Sequence, residues 1–144
     1  MKRRALILGL AILALASPVR AAESKENKTV GQYVDLQPVA MPIIVNGALV
    51  NYVFVYVRIN LSNGADVIKL RTKEPFFRDA LVREGHRTPF TVPGDWQKVD
   101  EAKLTAAMLR DARQLIGPDN VASVVVTSQT PQKRVVPPRP TPPS

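Results

Sequence analysis

Between Val50 and Leu61 apolar and polar or aromatic side chains alternate with a period of two: Val-Asn-Tyr-Val-Phe-Val-Tyr-Val-Arg-Ile-Asn-Leu. Successive side chains of a strand point to opposite faces. One face therefore carries Val53, Val55, Val57, Ile59 and Leu61, and the other carries Tyr52, Phe54, Tyr56, Arg58 and Asn60. The first face suits a core. The second suits a helix lid near its start and water near its end. Tyr52, Phe54 and Tyr56 are ring types that stack on sugars or bases, but their commoner use is packing beneath a helix, and the chain has a helix stripe to cover them.

The elements on either side follow from breaks in this pattern. Gln32–Val45 is apolar but interrupted by Pro38 and Pro42. Proline cannot donate to a sheet ladder, so this segment reads as an edge strand or two short strands. Asn46-Gly47 marks a tight turn into the long strand. After it, Ser62-Asn63-Gly64-Ala65 breaks the pattern, and Asp66–Arg71 resumes extended character with Val67, Ile68 and Leu70. Two strands around an Asn-Gly loop predict a second hairpin.

The period then changes to helical. Thr72 is a candidate N-cap and Pro75 suits a first turn. Phe76, Phe77, Ala80 and Leu81 follow at helical spacing, which favours the core for both phenylalanines over the alternative of a partner-binding knob, and Gly85 marks the end. His86–Val99 shows no clear period and reads as a loop or short extended piece held by its aromatics. Loops of that length often carry contacts, so Trp96 and Phe90 are candidate partner contacts. The competing reading makes Trp96 a plug over the core. Asp100 caps a second helix, Glu101–Ile116, whose stripe is Leu104, Ala107, Met108, Ala112, Leu115 and Ile116. Gly117-Pro118 stops it. Val121–Thr127, rich in valine, is the last strand and is expected at the centre of the sheet. These elements predict an α+β domain over residues 32–129: a small, mostly antiparallel sheet of about four strands with two helices packed on it.

Both ends differ from the middle. Met1–Ala21 has a basic start (Lys2, Arg3, Arg4), an apolar run Ala5–Ala16, and Val19 and Ala21 at the positions a signal peptidase reads. This is the form of a secretory signal peptide cleaved after Ala21. The alternative is a retained anchor, although a spanning helix needs about 20 apolar residues. Residues 22–31 form a polar lead-in, and export would place the domain in the periplasm. Residues 130–144 form a tail, with six prolines among the fourteen residues from Pro131 to Ser144. Such a segment favours extended polyproline conformation over a packed core. Arg134 and Arg139 in it are candidate contacts to a partner, the cell wall or a membrane surface.

Composition narrows the chemistry. The 144 residues include no cysteine and one histidine, which excludes disulfides, thiolate metal sites and multi-histidine centres. The formal charge is +8, but the four leader cations among the 20 Lys and Arg leave 16 against 12 Asp and Glu, a net +4. That mild excess argues against a nucleic-acid partner. Carboxylates are scattered. Asp79 and Glu84 share a helix with Arg78 and Arg83 as a solvated face, and His86 lies just past the expected helix end with no positioned partner of the kind a base requires. The residues assign no catalytic, cofactor or metal group and no small-molecule substrate.

The order of strand, hairpin, helix, helix and strand resembles the periplasmic domain of the flagellar basal-body-associated FliL family, from Tyr33 to about Gln129. Tyr33-Val-Asp-Leu36-Gln-Pro38 and Ile44-Val45-Asn46 are similar to the family's opening segment. Tyr52–Leu61 resembles its long alternating strand. Pro75-Phe-Phe-Arg-Asp79-Ala80-Leu81 is similar to its proline-led helix, and Leu104–Ile116 with Val121–Thr127 to its last helix and closing strand. The resemblance implies a stomatin- or prohibitin-like fold, ring-like self-association around the flagellar stator, a role in torque or motor stability that supports motility, and no enzyme activity. The family carries an N-terminal membrane-spanning helix, whereas this chain begins with a cleavable-looking leader and ends in a basic proline tail. A periplasmic, envelope-associated binding module with the same fold is therefore the alternative.

Overall fold

The computed structural model describes residues 32–139. The expectations for the leader and lead-in, residues 1–31, and for the end of the tail, residues 140–144, lie outside these. The elements in chain order are β1 (Tyr33–Asp35), β2 (Val39–Val45), β3 (Ala48–Leu61), α1 (Val67–Arg71), α2 (Glu74–Arg87), β4 (Thr91–Val92), β5 (Asp95–Val99), α3 (Glu101–Ile116) and β6 (Val121–Pro131), with a short 3-10 turn at Pro118–Asn120. The fold is α+β: a four-stranded antiparallel sheet with helices packed on it, and a two-stranded β4–β5 hairpin beside it.

The sheet is built around β3. Along one side of it β1 and β2 lie end to end, β1 against Arg58–Asn60 and β2 against Ala48–Val55. Along the other side runs β6, paired from Val53 to Leu61. Pro38 separates β1 from β2, and Pro42 sits within β2, an outer strand where a missing N–H costs no ladder bond. The Asn46-Gly47 turn has φ of +50° and +76°, the left-handed pair that a tight hairpin requires.

The alternating strand folds as its pattern dictates. Val53, Val55, Val57, Ile59 and Leu61 are all buried, with Val53, Val55 and Ile59 fully so. Each such side chain contributes on the order of 1.5–3 kcal/mol by leaving water. Against them pack Phe77 and Leu81 of α2 and Leu104, Met108 and Ala112 of α3. The Asp100 carboxylate accepts from the Lys103 N–H (3.1 Å), and α3 ends at Gly117 with φ of +89°.

Four expectations change. Asp66–Arg71 is helical, so the second hairpin does not form. Both sides of β3 are already occupied, and Asp66 accepts the Lys69 N–H (3.1 Å) as an N-cap while only Leu70 of the segment is buried. Thr72 closes that helix by donating to the Lys69 carbonyl (2.6 Å), and α2 starts without a side-chain cap. Gly85 lies inside α2, where its missing Cβ lets the helix approach β2; a Cβ there would stand 2.6 Å from Met41 Sδ. Finally, β6 is an outer strand and runs to Pro131, two residues beyond the expected domain end at 129. The Gln132 N–H continues the ladder to the Tyr52 carbonyl (2.8 Å).

Candidate functional site

The sheet has a covered face and an open one. All three helices and the β4–β5 hairpin contribute residues to the core on the face of β3 that carries the valines. The opposite face carries Tyr52, Phe54, Tyr56, Arg58 and Asn60. Phe54 is 37% exposed and Tyr56 is 40% exposed. The lid expected over these rings is therefore absent among the described residues. Each long helix has one apolar stripe, and α2 and α3 both spend theirs on the valine face.

The open face divides along its length. At one end the side chains hold one another. Arg58 donates from Nε and Nη2 to the two Asp35 oxygens (2.7 and 3.0 Å) and stacks over the Tyr33 ring at 3.8 Å. The hydrogen bond to Asp35 raises the Arg58 pKa above its ordinary value, against a smaller opposing effect of desolvation. Asn60 Nδ2 donates to Ser123 Oγ (2.9 Å). At the other end Tyr52, Phe54 and Tyr56 form a row whose cross-strand neighbours are small or lack a long side chain: Ala40 and Thr130 beside Phe54, Pro42 beside Tyr52, Ser128 beside Tyr56. Three rings flanked by short side chains present a shallow, adaptable apolar surface of the sort enriched at protein contacts.

A second feature is a cleft of about 560 Å³ between α2 and α3, lined by Arg83, Glu84, Arg87, Arg110 and Asp111 among others. Glu84 is buried and meets Arg87 Nη1 and Arg110 Nη2, both at 3.2 Å. Burial, then the neighbouring Glu84 charge, raises the Asp111 pKa, and Arg110 pulls it back. Both guanidiniums converge on the one Glu84 carboxylate, Arg87 from α2 itself and Arg110 from α3, so this cleft reads as an interhelical ion-pair network that joins α2 to α3.

The four sequence candidates do not form one site. Phe90 is buried in the core at 4% exposure, so it is not a surface contact as expected; its backbone carbonyl accepts from the Asp100 N–H (2.8 Å), closing the base of the β4–β5 hairpin. Trp96 is half-buried and packs against the core, and its carbonyl accepts from Asn51 Nδ2 (2.8 Å). Arg134 and Arg139 are exposed on the tail. Of the paired phenylalanines, Phe77 is fully buried as expected, whereas Phe76 is 56% exposed beneath Lys73. His86 is exposed at the last turn of α2, its Nδ1 2.8 Å from the Val82 carbonyl. Among the described residues no group of three or more His, Cys, Asp or Glu is placed to hold a metal, and no helix is long and apolar enough to cross a membrane.

The aromatic row was visible in the sequence, but its exposure was not. The signal that reveals it is a count: two amphipathic helices, one apolar stripe each, and a sheet with two faces. No protein-family model matches the chain, and no curated protein matches it.

Proposed function

We propose that this chain is a non-enzymatic exported protein of the FliL type, acting through protein contacts at the flagellar basal body and stator to support motility. The observation that carries a contact role is the row Tyr52–Phe54–Tyr56, in which Phe54 and Tyr56 are exposed and Tyr52 is half-buried, on an otherwise well-packed sheet. An exposed aromatic face costs solubility, and a contact function is the common reason for keeping one. The ordered resemblance from Tyr33 to Gln129 supports the motor as the place where that contact is made. A deletion strain with complementation tests it. Slow or paralysed cells with normal filament numbers are expected, and normal swimming in a strain without a second copy of the gene overturns the motor role.

The alternative is an envelope-associated binding module with no flagellar role. The exposed, basic, proline-containing segment around Arg134 and Arg139 favours it. Co-sedimentation with purified peptidoglycan that is lost when both arginines are replaced by serine would select this reading.

A further inference from the structure

The open aromatic row and the proline-rich tail are chemically matched, and the direction of the chain decides which copy of the tail the row can receive. Beyond Arg134 the sequence reads Val-Val-Pro-Pro-Arg-Pro-Thr-Pro-Pro-Ser, with two overlapping proline-x-x-proline steps, Pro137–Pro140 and Pro140–Pro143. Polyproline segments are pre-ordered, expose their carbonyls, and dock onto exposed aromatic rings at little entropic cost. Tyr52 and Tyr56 add hydroxyl donors for those carbonyls. The lengths agree: the three rings span about 14 Å of strand, and six residue steps of polyproline geometry, the sequence separation of Pro137 and Pro143, cover about 19 Å.

The tail of the same chain points the wrong way. Strand β6 runs antiparallel to β3, so on leaving β6 the chain travels toward the start of β3 and away from Phe54 and Tyr56. It is tied down there twice. The Gln132 N–H donates to the Tyr52 carbonyl, and the Lys133 backbone exchanges hydrogen bonds with the Asn51 side chain (2.9 and 3.2 Å). Past this clamp Pro138 and Arg139 are exposed. To lie along Phe54 and Tyr56 the same chain would have to reverse immediately after the clamp. A second molecule carries no such constraint.

We infer that the Tyr52–Phe54–Tyr56 row is the docking surface for the proline-rich tail, residues 137–143, of a second copy of this chain. Two tails and two faces then close a symmetric pair. This is independent of the motor reading, and either can fail alone: motility tests the one and association in solution the other.

Sedimentation velocity on the full chain after leader removal tests the inference, over about 1–200 μM, the span in which a micromolar Kd is visible. Wild type should shift from monomer to dimer. The face variant Phe54→Ser/Tyr56→Ser and the tail variant Pro140→Ser/Pro142→Ser/Pro143→Ser should each weaken association at least tenfold. The tail variant leaves every strand intact, so its loss of association cannot come from misfolding. Mixing the two variants keeps one of the two tail-to-face contacts and should give a heterodimer weaker than the wild-type pair but tighter than either variant alone. A wild type that stays monomeric throughout, a tail variant that dimerises like wild type, or a mixture that forms no heterodimer would each overturn the proposal.

Discussion

The two faces of β3 are made from adjacent residues of one strand, and they have opposite fates. Val53, Val55 and Val57 are sealed under α2 and α3, while Phe54 and Tyr56, interleaved with them, are left in water. Hydrophobicity does not separate the two sets, since a phenylalanine is as apolar as a valine. Helix supply separates them: both long helices lie on the same side of the sheet. The valine face stabilises the fold, and the ring face is free to act on something outside it.

The sharpest way to break this comparison is to place one charge on each face. Val55→Asp should unfold the domain, because an unpaired buried carboxylate costs several kcal/mol, on the order of a small domain's whole stability. Phe54→Asp, one residue away, should leave far-UV circular dichroism unchanged and melting within a few degrees. If the two variants behave alike, the faces are not distinct.

Helix α2 offers the same contrast on a smaller scale. Phe77→Ala should cost about 3–5 kcal/mol, since the ring is fully buried among α3 and sheet residues. Phe76→Ala, at the exposed neighbour, should change stability by less than about 0.5 kcal/mol. Urea denaturation of both variants measures the difference.

The end of β6 sharpens the boundary between fold and tail. Truncation after Gln129 removes the Thr130 and Pro131 rungs and the Lys133 partners of Asn51, a side chain only 3% exposed. Leaving that amide short of a partner should cost about 1–3 kcal/mol. Truncation after Arg134 keeps the clamp and should leave the melting temperature unchanged at concentrations too low for association.

The smallest expected effect is electrostatic. Asp111 has a raised pKa in the folded state, so the folded chain binds its proton more tightly than the unfolded chain does. Stability contributed at this site is therefore present below the ordinary carboxylate value and is lost as pH climbs through the raised one. Asp111→Asn should flatten that decline, making the variant slightly more stable relative to wild type at neutral pH than at pH 4. Melting curves of both proteins across that range check the sign.

Much of the fold was legible because local chemistry and tertiary packing agreed. The Asn46-Gly47 turn, the Asp100 cap, the Gly117 stop and the valine face each follow from a few neighbouring residues. Asp66–Arg71 misled because Val67 and Ile68 suit a strand, yet Ile68 is 82% exposed on a one-turn helix capped by Asp66. Phe90 misled because its flanking prolines read as a surface loop, whereas the Pro93-Gly94 turn folds that loop into a hairpin against the core. Of the candidate contacts, the sequence placed the rings of Tyr52, Phe54 and Tyr56 on one face of one strand but credited them to the interior.

By itself, the sequence determined which side chains share a face, where α3 begins and ends, and where the first hairpin turns, because periodicity and capping act over a few residues. Only the tertiary structure decided that both long helices choose the valine face, that β3 has its two sides filled by β1, β2 and β6, and that Asn51 clamps the start of the tail. Those outcomes depend on competition between segments far apart in the chain for a limited number of sheet edges and faces, and no local pattern records who wins.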